Sequence, residues 1–247
     1  MMDNLFDIEY KNILVTGASS GIGKEIAIKL NALGANVIIT GRNEERLNET
    51  RDLMVYHLGI PVEAYPCDLS KEDDIKKLVT GLPQLDGVVF CAGVVEYYPI
   101  KFINAEKINN IFSVNLNSQI LLTQQLVKNK KLKPNGSLVY ISSIASKIGV
   151  AGTALYTASK AGLNGFVKVT ASELSNQKIR ANSICPGIIQ TPMTEKAQNV
   201  NGDLAKDYPL GLGETIDVVG PCIFLLSDAS KWITGTELIL DGGLTLV

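Results

Sequence analysis

Thr16-Gly17-Ala18-Ser19-Ser20-Gly21-Ile22-Gly23 joins an apolar run, Asn12–Thr16, to a stretch of helical periodicity, Gly21–Leu33. Its glycines stand in a G-x3-G-x-G pattern, distinct from the G-x-G-x-x-G of the common dinucleotide fingerprint but with similar physics. Gly17 allows a tight turn, and Gly21 and Gly23 let backbone approach a pyrophosphate. The helix that starts there, with Ile22 in its first turn, offers free N–H groups and a positive dipole end, and Ser19 and Ser20 add hydroxyl donors. Two readings are open here: a phosphate-binding turn, or a glycine-rich strand–helix turn that binds nothing.

Outward from this turn the chain alternates. Apolar β-type runs at Asn36–Thr40, Val62–Tyr65, Gly87–Cys91, Ser137–Ser142, Ile179–Cys185 and Glu237–Leu240 follow the first one. Between them lie helical patterns at Glu44–His57, Glu72–Gly81, Ala105–Val127, Leu155–Ser175 and Thr215–Leu226. The strands are continuous rather than alternating apolar runs, which suits a sheet covered on both faces. This predicts an α/β chain: a doubly wound parallel sheet of about seven strands with helices on both faces. Gly34 reads as a helix C-cap, and Pro61 and Pro134 as residues that precede strands. No Pro/Ser-rich linker or low-complexity tract divides residues 1–247, so one domain is the economical reading. Thr191–Gly213, polar and rich in Gly and Pro, is expected to be a mobile substrate-side segment.

Composition sets outer limits. At 46% hydrophobic and 19% charged, the 247 residues can bury a core and are not disordered. Lys+Arg 23 against Asp+Glu 25 leaves a net charge of −2, which gives no general electrostatic reason to bind nucleic acid or acidic membranes. Cys67, Cys91, Cys185 and Cys222 lack metal-ligand spacing, His57 is the sole histidine, and the cysteines read as core packing. The start, Met1-Met2-Asp3-Asn4, lacks a secretory pattern, and apolar runs stop short of the roughly 18 residues a membrane helix needs. A soluble cytoplasmic protein is expected.

The second strand ends Ile38-Ile39-Thr40-Gly41-Arg42. About 20 residues beyond such a glycine turn, a carboxylate would take the ribose 2′-hydroxyl of NAD. Gly41 stands there, with Arg42 next to it, which favours a 2′-phosphate and hence NADP(H) over NAD(H). The alternative is that Arg42 pairs with Glu44 or Glu45 on a solvated loop. After the third strand, Asp68 could accept from an adenine amino group with Leu69 beside the ring; equally, Asp68 or Ser70 could cap a helix.

Tyr156 and Lys160, spaced i and i+4, share one helix face, and Ser143 ends the strand thirteen residues before Tyr156. That spacing would gather a hydroxyl, a phenol and an ammonium at the carboxyl edge of the sheet, where open α/β folds bind ligands. Tyr97 and Lys101 repeat the spacing, but Pro99 lies between them and no serine stands thirteen residues upstream. The first set counts because it joins the glycine turn.

Taken together these residues resemble the short-chain dehydrogenase/reductase family from Lys11 to Gly243. The family's glycine motif matches Thr16 to Gly23, its Ser, Tyr and Lys match Ser143, Tyr156 and Lys160, and its active-site Asn matches Asn115. Its Pro-Gly motif matches Pro186-Gly187 with Thr191 following, and Asp241-Gly242-Gly243 also fits. The resemblance implies hydride transfer between a nicotinamide and a carbonyl carbon, with Tyr156 giving the proton and Ser143 bonding the same oxygen. Lys160 beside the phenol, with the cofactor's own positive ring in the oxidised state, would stabilise the phenolate and lower the phenol pKa, and the resemblance implies that Lys160 also binds the nicotinamide ribose. Asn115 would hold a water linking Lys160 to solvent, and Ile189 and Thr191 would contact the carboxamide. The chain departs from the family at Phe90-Cys91-Ala92-Gly93, where Asn-Asn-Ala-Gly is usual; Ala92 and Gly93 keep the close approach to cofactor.

The leading expectation is an NADPH-dependent reductase of a ketone or 3-oxoacyl group, resembling 3-oxoacyl-acyl-carrier-protein reductases, with a substrate that could be carrier-bound. The alternatives are a dehydrogenase of a secondary alcohol such as a sugar or steroid, and a dinucleotide-sensing module without catalysis. The resemblance also implies a homo-oligomer, tetramer or dimer, and apolar residues around the helices Ala105–Val127 and Leu155–Ser175 agree with helix packing between subunits. Val94, Val95, Ile144, Ala145, Ile188, Met193 and the segment to Gly213 are expected to line a mainly apolar substrate pocket; Lys147 and Lys196 are candidate anchors for an acidic substrate or carrier, against the alternative that they are surface lysines with no such part.

Overall fold

The apolar runs become β1 (Asn12–Thr16), β2 (Asn36–Gly41), β3 (Glu63–Pro66), β4 (Leu85–Phe90), β5 (Leu132–Ile141), β6 (Arg180–Pro186) and β7 (Glu237–Leu240). In the computed structural model, which describes residues 5–54, 62–194 and 204–246, they form one sheet of order β3-β2-β1-β4-β5-β6-β7. Every neighbouring pair is parallel. Successive side chains point to opposite faces, so each strand feeds two cores. Ile13, Val15, Ile39, Val89 and Val139 meet α1 (Gly21–Ala32), α2 (Glu44–Asp52) and α7 (Thr215–Leu226) through Ile26, Leu30, Leu47, Val218 and Cys222. Leu14, Ile38, Val88, Leu138 and Tyr140 meet α3 (Glu72–Gly81), α5 (Ser118–Lys128) and α6 (Ala154–Leu174) through Ile75, Leu78, Leu122, Leu163 and Val167. Burial on both faces is why the strands carry no polar alternation.

Most elements end within a residue or two of the sequence reading, and three differ by more. The single helix expected over Ala105–Val127 is α4 (Ala105–Phe112), a π-helical turn Ser113–Asn117, and α5. The wide turn swings Asn115 inward, where its amide bonds the backbone of Val94. The helix expected to reach His57 stops at Asp52, with Leu53 as C-cap and Met54 N–H turned back to the Arg51 carbonyl; His57 and Pro61 lie outside the described residues. Pro134 sits inside β5 rather than before it, in the stretch where pairing with β4 slips between Leu85 and Gly87, so no ladder N–H is demanded of it.

Of the Thr191–Gly213 segment, residues 195–203, including Lys196, lie outside the described part. Its far end is tied down. The Ile188 N–H donates to the Tyr208 hydroxyl at 3.0 Å, and Gly213 bridges Ile189. Among the described residues no helix is long and apolar enough to cross a membrane. The strand order reverses between β1 and β4, and the crevice outside the carboxyl ends of those strands is the expected ligand position in such a sheet.

Candidate active site

The crevice is a cleft of about 350 Å³ whose floor is the glycine turn. Buried Thr16 ends β1, and its Oγ1 accepts from the N–H of Cys91 at 3.0 Å and of Ala92 at 3.2 Å, stapling the turn to the end of β4. Gly17 has φ +66°, and a Cβ there would lie 2.9 Å from Ala92 backbone; a Cβ on Gly23 would lie 2.5 Å from the Gly17 carbonyl oxygen. Both glycines are therefore required by space. Ser20, the N-cap of α1, makes no side-chain bond to the first turn, and that turn holds no acidic residue. Backbone N–H groups and an uncompensated dipole end thus face the cleft, a donor set suited to a pyrophosphate. Ser19, Ser20, Gly21 and Ile22 line the same wall.

One end of the cleft is walled by Gly41, Arg42, Asn43, Arg46, Asp68 and Leu69. Among the described residues Arg42 makes no ion pair with Glu44 or Glu45; its charge acts instead on Asp68 across the wall. Asn43 caps α2 by accepting the Arg46 N–H at 2.9 Å. Sequence reasoning missed Asn43 and Arg46; the usable signal was Asn43 as an N-cap type just before the helical run, which places Arg46 in the first turn beside the end of β2. The helix-capping alternative for Asp68 and Ser70 is corrected: α3 begins at Glu72 with Lys71 as N-cap. Asp68 instead closes a turn, accepting from the Ser70 N–H and hydroxyl at 3.1 and 2.7 Å.

At the other end β5 delivers Ser143 and α6 delivers Tyr156 and Lys160 to one wall, with Ala92, Gly93, Pro186, Gly187, Ile189 and Thr191 around them. Ser143 is buried, and its Oγ accepts from the Ala145 N–H at 3.1 Å, which leaves its hydrogen to be donated into the cleft. Buried Lys160 donates to the Ile141 carbonyl at 2.8 Å, and its Nζ lies 5.8 Å from the centre of the Tyr156 ring. Burial lowers the lysine pKa to about 8. Burial also pushes the Tyr156 phenol up to about 12, against hydrogen bonding from Ser143. Among the protein's own groups burial prevails and holds the phenol above its ordinary value; the lowering expected from the sequence drew on Lys160 together with the positive ring of an oxidised nicotinamide.

Asn115 is fully buried one layer behind this wall, not on it. Its amide accepts from Val94 N–H at 2.8 Å and donates to Val94 O at 2.9 Å and Ser159 Oγ at 3.2 Å. Gln119, unnoticed in the sequence, donates to the carbonyls of Ala92 and Asn115 at 3.2 and 3.0 Å. The π-helical turn and the start of α5 thus grip the segment 92–94. Where Asn-Asn would stand, Phe90 stacks on Tyr140 at 4.2 Å and 3°, and Cys91 lines the cleft beside packing against the core.

Of the expected pocket residues, Val94 and Met193 line the cleft, whereas Val95, Ile144, Ala145 and Ile188 do not. Of the two lysines weighed as anchors, Lys147 pairs with Glu237, in line with the reading that gives it no such part. Tyr97 and Lys101 share no helix; Pro99 caps a short 3-10 turn, Ile100–Phe102, that holds Lys101 alone of the two, and the Lys101 ammonium sits over Phe102.

Residues 17–245 match a family model described as enoyl-(acyl carrier protein) reductase. Two relatives, 3-oxoacyl-(acyl-carrier-protein) reductases of Rickettsia felis and Thermotoga maritima, are 33% and 35% identical to this chain. They cover 98% and 97% of it with 100% and 99% of their own lengths. A solved short-chain type dehydrogenase/reductase from Mycobacterium marinum is 28% identical, with TM-score 0.88 and 99% of both chains covered.

Proposed function

This chain belongs to the short-chain dehydrogenase/reductase family of nicotinamide-dependent CH–OH oxidoreductases, and from that premise we propose that it uses NADPH to reduce a ketone or 3-oxoacyl group to a secondary alcohol. The observation that carries the reading is that Ser143, Tyr156 and Lys160 share one cleft with the glycine turn.

The dinucleotide, when bound, supplies the hydride. Backbone N–H groups from Gly17 to Gly23, with Ser19 and Ser20, hold its pyrophosphate, and Asp68 and Leu69 take the adenine. Arg42 and Arg46 take a 2′-phosphate, which is the ground for preferring NADP(H) to NAD(H). Ala92, Gly93, Pro186, Gly187, Ile189 and Thr191 border the nicotinamide end, and Lys160 holds the ribose there. Tyr156 gives its phenolic proton to the substrate oxygen, and the Ser143 hydroxyl donates to the same oxygen. A phenol held at about 12 is protonated throughout the neutral range, which is the form a reduction needs. The ammonium of Lys160 stabilises the phenolate left behind.

The substrate class rests on the two relatives, which act on 3-oxoacyl groups bound to acyl-carrier protein. The test is NADPH oxidation at 340 nm with an acetoacetyl thioester, with simple ketones, a crotonyl thioester and secondary alcohols with NADP⁺ in parallel. Faster turnover of the acetoacetyl thioester, and at least a tenfold preference for NADPH over NADH, is expected. Reduction of the crotonyl thioester alone would move the reaction to the carbon–carbon double bond, and NADH preference would overturn the role given to Arg42.

A further inference from the structure

A run of polar side chains links β7 to the turn that carries Ser143, and the reaction above makes no use of it. Glu237 begins β7 with a side chain only 10% exposed, yet it gathers the ammonium groups of Lys147 and Lys168 and, at 2.7 Å, the amide Nδ2 of Asn164. Burial pushes this carboxyl up, but hydrogen bonds and charge from Lys147 and Lys168 outweigh it and leave the group below the usual range. It is therefore a fixed anion.

Asn164 stands four residues beyond Lys160 on α6, and so on the same face as Lys160 and Tyr156. Its Nδ2 also donates to Ser146 Oγ at 2.9 Å, and the Ser146 hydroxyl donates onward to the Ser143 carbonyl at 2.7 Å. The direction of this relay is determined. Ser146 has one hydrogen and gives it to Ser143, so it must accept from Asn164; the carboxylate must accept as well. The amide is thereby locked with Nδ2 toward both, and its Oδ1 is left buried without a partner among the described residues. Such an orphan is costly, and it persists because the flipped amide would set a carbonyl against a carboxylate.

Resting on the roles given above to Ser143 and Tyr156, we infer that Glu237 and Asn164 are positioning residues. They clamp the Ser143 turn to the face of α6 that carries Tyr156 and Lys160, and so set the contact between hydroxyl and phenol. Neither lines the cleft. Loosening the clamp withdraws Ser143 from the phenol, whose other titratable neighbours are Tyr97, Cys91, Cys185 and, below the ring, Lys160.

The test compares Glu237→Ala and Asn164→Asp with the parent chain. The second variant places two carboxylates together and turns the Ser146 hydroxyl away from Ser143. Expected are a loss of about tenfold in kcat, an NADPH Kd unchanged within about twofold, and an alkaline shift of about one unit in the phenol titration followed with NADP⁺ bound, whose positive ring brings the phenol down into the accessible range. That titration is read by difference absorbance at 295 nm, each protein minus its Tyr156→Phe counterpart, and needs no turnover. Variants that lose only thermal stability, with kcat and the phenol titration of the parent, would reduce the network to a structural role. A parent chain that reduces no carbonyl would instead sink the reaction assigned above, and the titration would still decide this inference.

Discussion

At the reacting end of the cleft, Ser143 and Lys160 are 9% and 4% exposed, and each is fixed by a hydrogen bond to a neighbouring backbone group. At the end proposed to take the adenosine, Arg42 and Arg46 stand exposed, Arg42 just before the cap of α2 and Arg46 in its first turn. The first end works by desolvated groups in fixed positions, where electrostatic effects are large. The second works by screened charges that add affinity in small increments. The same cleft should therefore answer to substitution on two scales.

The widest gap is expected with Tyr156→Phe. It removes one oxygen and leaves the wall otherwise filled, so kcat should fall by about 10²–10⁴-fold while NADPH binding, read by its fluorescence, stays within about twofold. A variant retaining more than a tenth of parental turnover would erase the distinction between the two ends. Gly23→Ala tests the floor between them. The added Cβ would meet the Gly17 carbonyl at 2.5 Å, so backbone must move. An overpacking cost of about 1–3 kcal/mol should lower Tm by about 2–10 °C, and NADPH affinity by about 10–100-fold, in melts run with and without the dinucleotide. Unchanged melts in both conditions would mean that the turn yields and does not shape the phosphate site.

Acidity sharpens the reacting end. Burial sets Lys160 at about 8, below its ordinary value, so its charged form is present below that pH and is lost as pH rises through it. Reduction needs the ammonium to stabilise the phenolate, so kcat should be flat toward pH 6 and fall about tenfold between about pH 7 and 9. A rate climbing steadily across that interval would assign the lysine no such part.

What the sequence revealed, and what it hid, follows the same division. The turn from Thr16 to Gly23 and the Tyr156–Lys160 pair were legible because their geometry is local, a strand–helix joint and one helix turn. Ser143 was legible because a strand end fixes its height. The clamps were not: Asn164 meets Glu237 across 73 residues and Asn115 meets Val94 across 21, and no periodicity encodes such pairings. The π-helical turn at Ser113–Asn117 was hidden for a related reason. Apolar spacing fixes that a helix exists, whereas one inserted residue is decided by the partners its side chains find. Lys147 looked like a free surface cation because its partner lies on a strand ninety residues away.

Arg42→Ala carries the smallest effect and bears most directly on the exposed end. Arg42 is exposed, faces Asp68 rather than Glu44 or Glu45, and shares its wall with Arg46. Because a second guanidinium remains and solvent screens both, the KM for NADPH should rise only about fivefold, with kcat and the KM for NADH nearly unchanged. The rise should shrink further as ionic strength goes from about 0.05 to 0.5 M, since the Debye length falls over that range to a few ångströms. A salt-independent rise, or an equal rise for NADH, would mean that Arg42 shapes the wall through packing rather than gripping a phosphate. The contrast between a desolvated end and a screened one would then fail at its weaker side.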